Sequence, residues 1–169
     1  MNQITPIKSS PPPPPFLVAL NLTRRCNLAC THCYLDAGNR SDGTSDELTT
    51  VEVIRLIEAI AGLSRETMVV LTGGEPLMRS DLDEIARHAN RLGLMVVVGT
   101  NGMMLTPARV AWLVDAGVSG VGISLDSLES ERHDAFRGRN GAWRKTMDGI
   151  AACRDAGLAF QIQFSVIDD

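Results

Sequence analysis

Apolar residues along this chain follow two alternating periodicities. Five short runs, 17–22, 68–71, 95–98, 120–125 and 159–166, are rich in β-branched residues and mostly continuously apolar. Such runs predict strands covered on both faces. The stretches between them carry helix start and stop signals. Thr49 and Glu52 fit a capping box ahead of Val53, Leu56, Ile57 and Ile60, with Gly62 as the stop. Ser80 and Asp83 resemble the same device ahead of Leu82, Ile85, Ala86 and Ala89, closed by Gly93. Thr106-Pro107 places proline at a first helical position before Val110, Leu113 and Val114, and Gly117 closes that helix. A last helix is predicted over 142–156, ending at Gly157. Gly93-Leu94, Gly117-Val118 and Gly157-Leu158 each lead from a helix into a strand. This is βα repetition, which predicts a parallel sheet with right-handed crossovers.

At 169 residues the chain can bury a single core, and 44% hydrophobic with 21% charged residues is ordinary for a globular protein. A net charge of −4 provides no basic field for nucleic acid or an anionic membrane. No apolar run approaches the roughly 20 residues of a membrane-spanning helix. Residues 16–20 are too short for a signal-peptide core and follow five prolines, Pro11 to Pro15, so the expected location is the cytoplasm. Residues 1–15 read as a disordered, proline-rich leader, stiffened by its polyproline tract. Residues 16–169 then form one domain.

In parallel α/β structures, sites gather at the carboxyl ends of the strands. The predicted first strand leads into Cys26-Asn27-Leu28-Ala29-Cys30-Thr31-His32-Cys33-Tyr34, and the second into Thr72-Gly73-Gly74-Glu75-Pro76. The third leads into Gly99-Thr100-Asn101-Gly102, and the fourth ends near Ser124 and Asp126-Ser127. Three thiolates within eight residues can wrap one cubane iron–sulfur cluster and leave one iron open. Zinc held by the three cysteines and His32 is the alternative, but His32 and Cys33 are adjacent and would both have to reach one tetrahedral ion. Cys153 sits in a helical pattern and reads as core packing. Gly73-Gly74 permits either a close backbone approach or a tight turn.

The cysteine spacing with an aromatic directly after the third cysteine, and Gly-Gly-Glu-Pro at the end of the next strand, resemble the radical S-adenosylmethionine (SAM) superfamily. The resemblance runs from about Leu17 to the C-terminus. Asn27, Thr100-Asn101-Gly102, Ser124-Leu125-Asp126, the stretch Arg137-Gly138-Arg139-Asn140-Gly141-Ala142-Trp143 and Gly149-Ile150 are similar to its SPASM and molybdenum-cofactor branch. Within that branch the chain is most similar to heme-modifying members of the heme d1 biosynthesis type. The resemblance implies a partial (β/α) barrel with about five of the family's six βα units, so a core truncated at its C-terminus. It implies a [4Fe–4S] cluster on Cys26, Cys30 and Cys33 whose open iron takes the amino and carboxylate groups of SAM. Gly73, Gly74, Glu75 and Pro76 match the motif that receives the methionine ammonium, with Glu75 as polar support. Thr100 and Asn101 match methionine and ribose contacts, and Ser124 matches a polar contact at the end of the fourth strand. His32 falls in the adenine environment or is a loop histidine, and Tyr34 flanks it or simply packs. Asp126 contacts SAM or instead caps the following helix, and Gln161 contacts SAM or faces outward.

The implied chemistry is reductive cleavage of SAM to methionine and a 5′-deoxyadenosyl radical, which takes a hydrogen atom from substrate. No general base is required. Expected partners are a tetrapyrrole, other small-molecule or peptide substrate and an electron donor such as a flavodoxin or ferredoxin, with no nucleic acid or membrane. Molybdenum-cofactor members carry a substrate-binding arginine near the position of Ala19, which argues against that activity here. A cluster-binding protein without turnover and a zinc-binding interaction module are the other readings.

Overall fold

The computed structural model describes residues 13–37 and 46–166. The leader expected over 1–15 lies outside the described residues up to position 12; Pro13 to Pro15 are exposed, and the Pro15 carbonyl accepts from the buried Thr67 hydroxyl at 2.7 Å. Five strands, β1 (Leu17–Thr23), β2 (Met68–Gly73), β3 (Met95–Thr100), β4 (Gly120–Ser124) and β5 (Ala159–Gln163), form one parallel sheet in sequential order. The helices are α1 (Thr50–Leu63), α2 (Leu82–Arg91), α3 (Pro107–Asp115), α4 (Ser130–Arg137) and α5 (Ala142–Asp155). The sheet is open, as the partial barrel requires, with β1 and β5 at its edges. Among the described residues, no helix is long and apolar enough to cross a membrane.

Strand alternation divides the sheet into two unlike faces. Leu22, Val69, Leu71, Val96, Val98, Val121 and Ile123 join Val53, Ile57, Ile85, Val110, Leu113 and Cys153 of the helices in one core. At full burial each such aliphatic side chain stabilises the fold by roughly 1.5–3 kcal/mol. Beyond Val70 and Val97, the alternate positions nearer the carboxyl ends, Thr72, Gly99, Gly122 and Ser124, are small or polar. They keep the other face shallow, so its rim can hold a site.

The glycine–hydrophobic repeats are Schellman motifs. Leu94 N–H donates to Ala89 O and Gly93 N–H to Asn90 O, and the same pair of bonds recurs at Val118/Gly117 and Leu158/Gly157. All three glycines have positive φ, where a side chain would be strained. The Thr49–Glu52 capping box is present with both reciprocal bonds. Two other signals are corrected. Gly62 lies inside α1, which ends at Leu63 with Ser64 as its cap. The Ser80–Asp83 box does not form: Asp81 occupies the cap position and makes no capping bond with its side chain. That carboxylate is engaged instead by the Arg79 guanidinium at 2.6 and 2.9 Å and the Thr50 hydroxyl at 2.7 Å.

Helix α4, which the pattern did not predict, precedes α5. Asp134 on α4 accepts the Gly141 and Trp143 N–H groups at 2.5 and 2.7 Å, capping α5 from outside. The last strand stops at Gln163 rather than 166, and the fourth at Ser124 rather than Leu125.

Candidate active site

The segment after β1 is held in place by the end of β2. Asn21 still pairs in register with Thr72, then a shift places Thr23 opposite Gly73. Beyond it Gly74 N–H donates to Thr23 O at 2.7 Å and Glu75 N–H to Arg25 O at 2.8 Å, extending the ladder to the residue before Cys26. A Cβ on Gly73 would collide with the Thr23 carbonyl, and one on Gly74 with the Arg25 carbonyl. The two glycines are therefore needed for backbone-to-backbone contact, and the tight-turn reading is insufficient.

The far side of the cysteine loop rests on α4. Ala29 N–H donates to Arg137 O at 3.3 Å and Thr31 N–H to Phe136 O at 3.2 Å, using carbonyls that a helix end leaves unpaired. Gly138, at positive φ, lets the Ala29 carbonyl pack directly against the helix end. Arg139 Nη1 donates to Asn27 O at 2.7 Å, and Leu28 is buried with Met103 and Ala142.

Cys26, Cys30 and Cys33 line one cleft with Gly73, Gly74, Thr100, Asn101, Ser124, Asp126, His32 and Tyr34. Each sulfur has an N–H donor: Asn101 Nδ2 at 3.8 Å from Cys26, Arg137 Nη1 at 3.7 Å from Cys30, and Ala37 N at 3.4 Å from Cys33. Burial pushes the Cys26 and Cys30 thiols above the ordinary thiol pKa; Arg137 opposes this at Cys30. Three sulfurs supplied with donors, beside a backbone rim without side chains, suit a cubane cluster with one open iron. Among the described residues, no three His, Cys, Asp or Glu side chains converge closely enough to hold a single metal ion.

His32 stacks on Phe136 with centroids 4.2 Å apart and rings 8° from parallel. Tyr34 is exposed, and its hydroxyl donates to Asn21 Oδ1 at 3.2 Å. Ser124 faces the cleft at the end of β4. Asp126 caps no helix, since Glu129 holds the cap position of α4; it accepts from Arg137 Nε and Nη2, each at 2.6 Å. Pro76 lies beneath the rim as the buried first residue of a 3-10 turn, Pro76–Met78. Gln161 is exposed and lies outside the cleft, which Gln163, Phe164 and Ser165 line instead. Arg137 and these three residues were missed as lining. Gln163 shares the strand parity of Gln161, so parity alone could have found it.

Glu75 supports the rim from below. Fully buried, it accepts from the Thr100 hydroxyl at 2.9 and 3.0 Å, Asn101 N–H at 2.9 Å and Leu77 N–H at 3.1 Å. Burial pushes its carboxyl up to about 7, while those donors pull it down. A carboxyl raised in the folded chain gives stability that is complete below its unfolded pKa, near 4.3. That contribution fades as pH rises to about 7. Glu75→Gln is expected to cost about 1–3 kcal/mol near pH 5, because its amide must face an N–H donor. Urea midpoints taken near pH 5 and 7 should fall for the parent chain and stay level for the variant.

Known proteins resemble this chain in sequence and fold. A family model described as the Radical SAM superfamily matches residues 20–166. The AdoMet-dependent heme synthase of Methanosarcina barkeri is 43% identical over 152 residues, covering 90% of this chain and 43% of the relative. The pre-heme d1 synthase of Dinoroseobacter shibae is 33% identical, covering 97% of this chain and 40% of the relative. This chain thus spans about two fifths of these relatives' length. Native anSMEcpe with bound AdoMet superposes with a TM-score of 0.71 at 18% identity, over 86% of this chain and 42% of that one, a likeness of fold. The match over nearly all the described sheet, together with three cysteines and a double glycine on one rim, means that the chain belongs to the radical SAM superfamily.

Proposed function

We propose that this chain binds a [4Fe–4S] cluster through Cys26, Cys30 and Cys33 and SAM across the adjoining rim, as the cofactor half of a radical enzyme acting on a tetrapyrrole. The observation that carries this reading is the convergence of the three cysteines, Gly73-Gly74, Thr100, Asn101 and Ser124 on one cleft at the carboxyl ends of the strands. When bound, the cluster supplies the electron that cleaves SAM to methionine and a 5′-deoxyadenosyl radical.

The chain's own residues bind and orient. The Gly74 and Glu75 N–H groups are spent on the Thr23 and Arg25 carbonyls, so the rim offers carbonyl oxygens, the acceptors that an ammonium group needs. Ser124 presents a hydroxyl to the same cleft, and His32 on Phe136 offers a flat apolar ring surface for a nucleobase. The tetrapyrrole substrate is supported by the heme-synthase relatives, and a peptide is the other candidate. An external reductant, a flavodoxin or ferredoxin, and a reducing cytoplasm complete the reading, since free thiols persist there.

Anaerobic reconstitution with iron and sulfide tests it. About four irons and four sulfides per chain are expected, with an electron-spin signal on reduction that SAM alters. One zinc per chain without sulfide would replace the cluster by a zinc module. An unaltered spin signal would remove SAM, and a normal signal without 5′-deoxyadenosine would leave a cluster protein without turnover.

A further inference from the structure

We propose that Arg137 sets the reduction potential of the cluster through the sulfur of Cys30, with Asp126 as its opposing charge. This inference rests on the cluster reading above and goes beyond it. The stretch beginning at Arg137 was noted in the sequence for its resemblance alone; the structure gives it a task.

The three sulfurs are not equivalent. Cys26 and Cys33 receive neutral donors, the Asn101 amide and the Ala37 backbone, whereas Cys30 receives a guanidinium N–H at 3.7 Å. The Arg137 side chain is 9% exposed and its partner Asp126 5%, so water does little to screen them. Both elements aim the fork. Arg137 is the last residue of α4, and its own carbonyl accepts from Ala29 N–H in the cysteine loop. Asp126 is held by Ser165 N–H at 3.1 Å on Oδ1, and its backbone N–H donates to His133 Nδ1 at 3.3 Å. Nε and Nη2 are committed to that carboxylate, which leaves Nη1 directed at sulfur.

Reduction adds one electron, and the added negative charge is shared between iron and its thiolates. A cation and an N–H donor at one thiolate stabilise the reduced form more than the oxidised form, which raises the potential. The Asp126 carboxylate, which meets the guanidinium through Nε and Nη2 and offers no hydrogen to the sulfur, lowers it by a smaller amount. Arg137 is thus a positioning residue that acts through Cys30.

The test is an electron-spin-monitored redox titration of the reconstituted full chain without SAM. Arg137→Met should shift the midpoint to lower potential, Asp126→Asn should shift it higher, and Arg137→Lys should fall between Arg137→Met and the parent. A role limited to bracing the loop predicts no such opposition of sign. Midpoints for Arg137→Met and Asp126→Asn that match the parent, or move in the same direction, overturn the inference. Should Arg137→Met retain no cluster, the rise in Asp126→Asn decides alone. A parent chain that takes up no iron and sulfide would instead defeat the cluster reading itself.

Discussion

Replacing Cys26, Cys30 and Cys33 together by alanine is expected to abolish iron and sulfide retention, from about four of each per chain to the background of the preparation. The alternative ligands nearby do not substitute. His32 is engaged in a stack with Phe136, and Asp126 is tied to Arg137. The fold should survive, because all three thiols sit on the rim and only Cys26 and Cys30 border the small cluster around Leu28. Cys153→Ala is the matched control. It is fully buried in the main core, so its loss should cost about 1–2 kcal/mol as a small cavity. Iron content in that variant should equal the parent's. Metal and sulfide analysis beside urea unfolding separates the two effects.

Gly74→Ala should be the most damaging single substitution of small size. The new Cβ would occupy the space of the Arg25 carbonyl, which cannot withdraw without releasing Glu75 N–H. Overpacking a side chain against other side chains costs typically 1–3 kcal/mol. Here the opposing atom is backbone, so a loss of about 3 kcal/mol or more is expected, together with loss of cluster uptake. Gly62→Ala provides the contrast. Nothing lies within 4 Å of a Cβ there, inside a regular helix, so that variant should gain about 1 kcal/mol. Urea midpoints of the two variants should move in opposite directions.

Much of this architecture was readable because its determinants are local. The Thr49–Glu52 box and the three glycine–hydrophobic stops involve residues within one or two turns, and each formed with its expected bonds. Two of the failures have a common physical origin. The Ser80–Asp83 box gives way to Asp81 at the cap position, whose carboxylate is held by Arg79, and that arginine also reaches the Leu22 and Leu48 carbonyls, a tertiary tie no local pattern reveals. Helix α4 escaped notice because the residues it buries are His133 and Arg137, so apolar periodicity had nothing to register. The cysteines, glycines and Asn101 were legible as a site from their places at strand ends. Arg137 was not, because its membership depends on an ion pair with Asp126 spanning eleven positions and on a contact with Cys30 spanning 107.

That last span has a consequence for biosynthesis. Synthesis at roughly 5–20 residues per second means that Cys30 leaves the ribosome about 5–20 seconds before Arg137 does. During that interval the loop lacks the helix end that seats Ala29 and Thr31, so its thiols are bare to oxidants and stray metals. Metal loading of the nascent chain is therefore best deferred until α4 has emerged and docked.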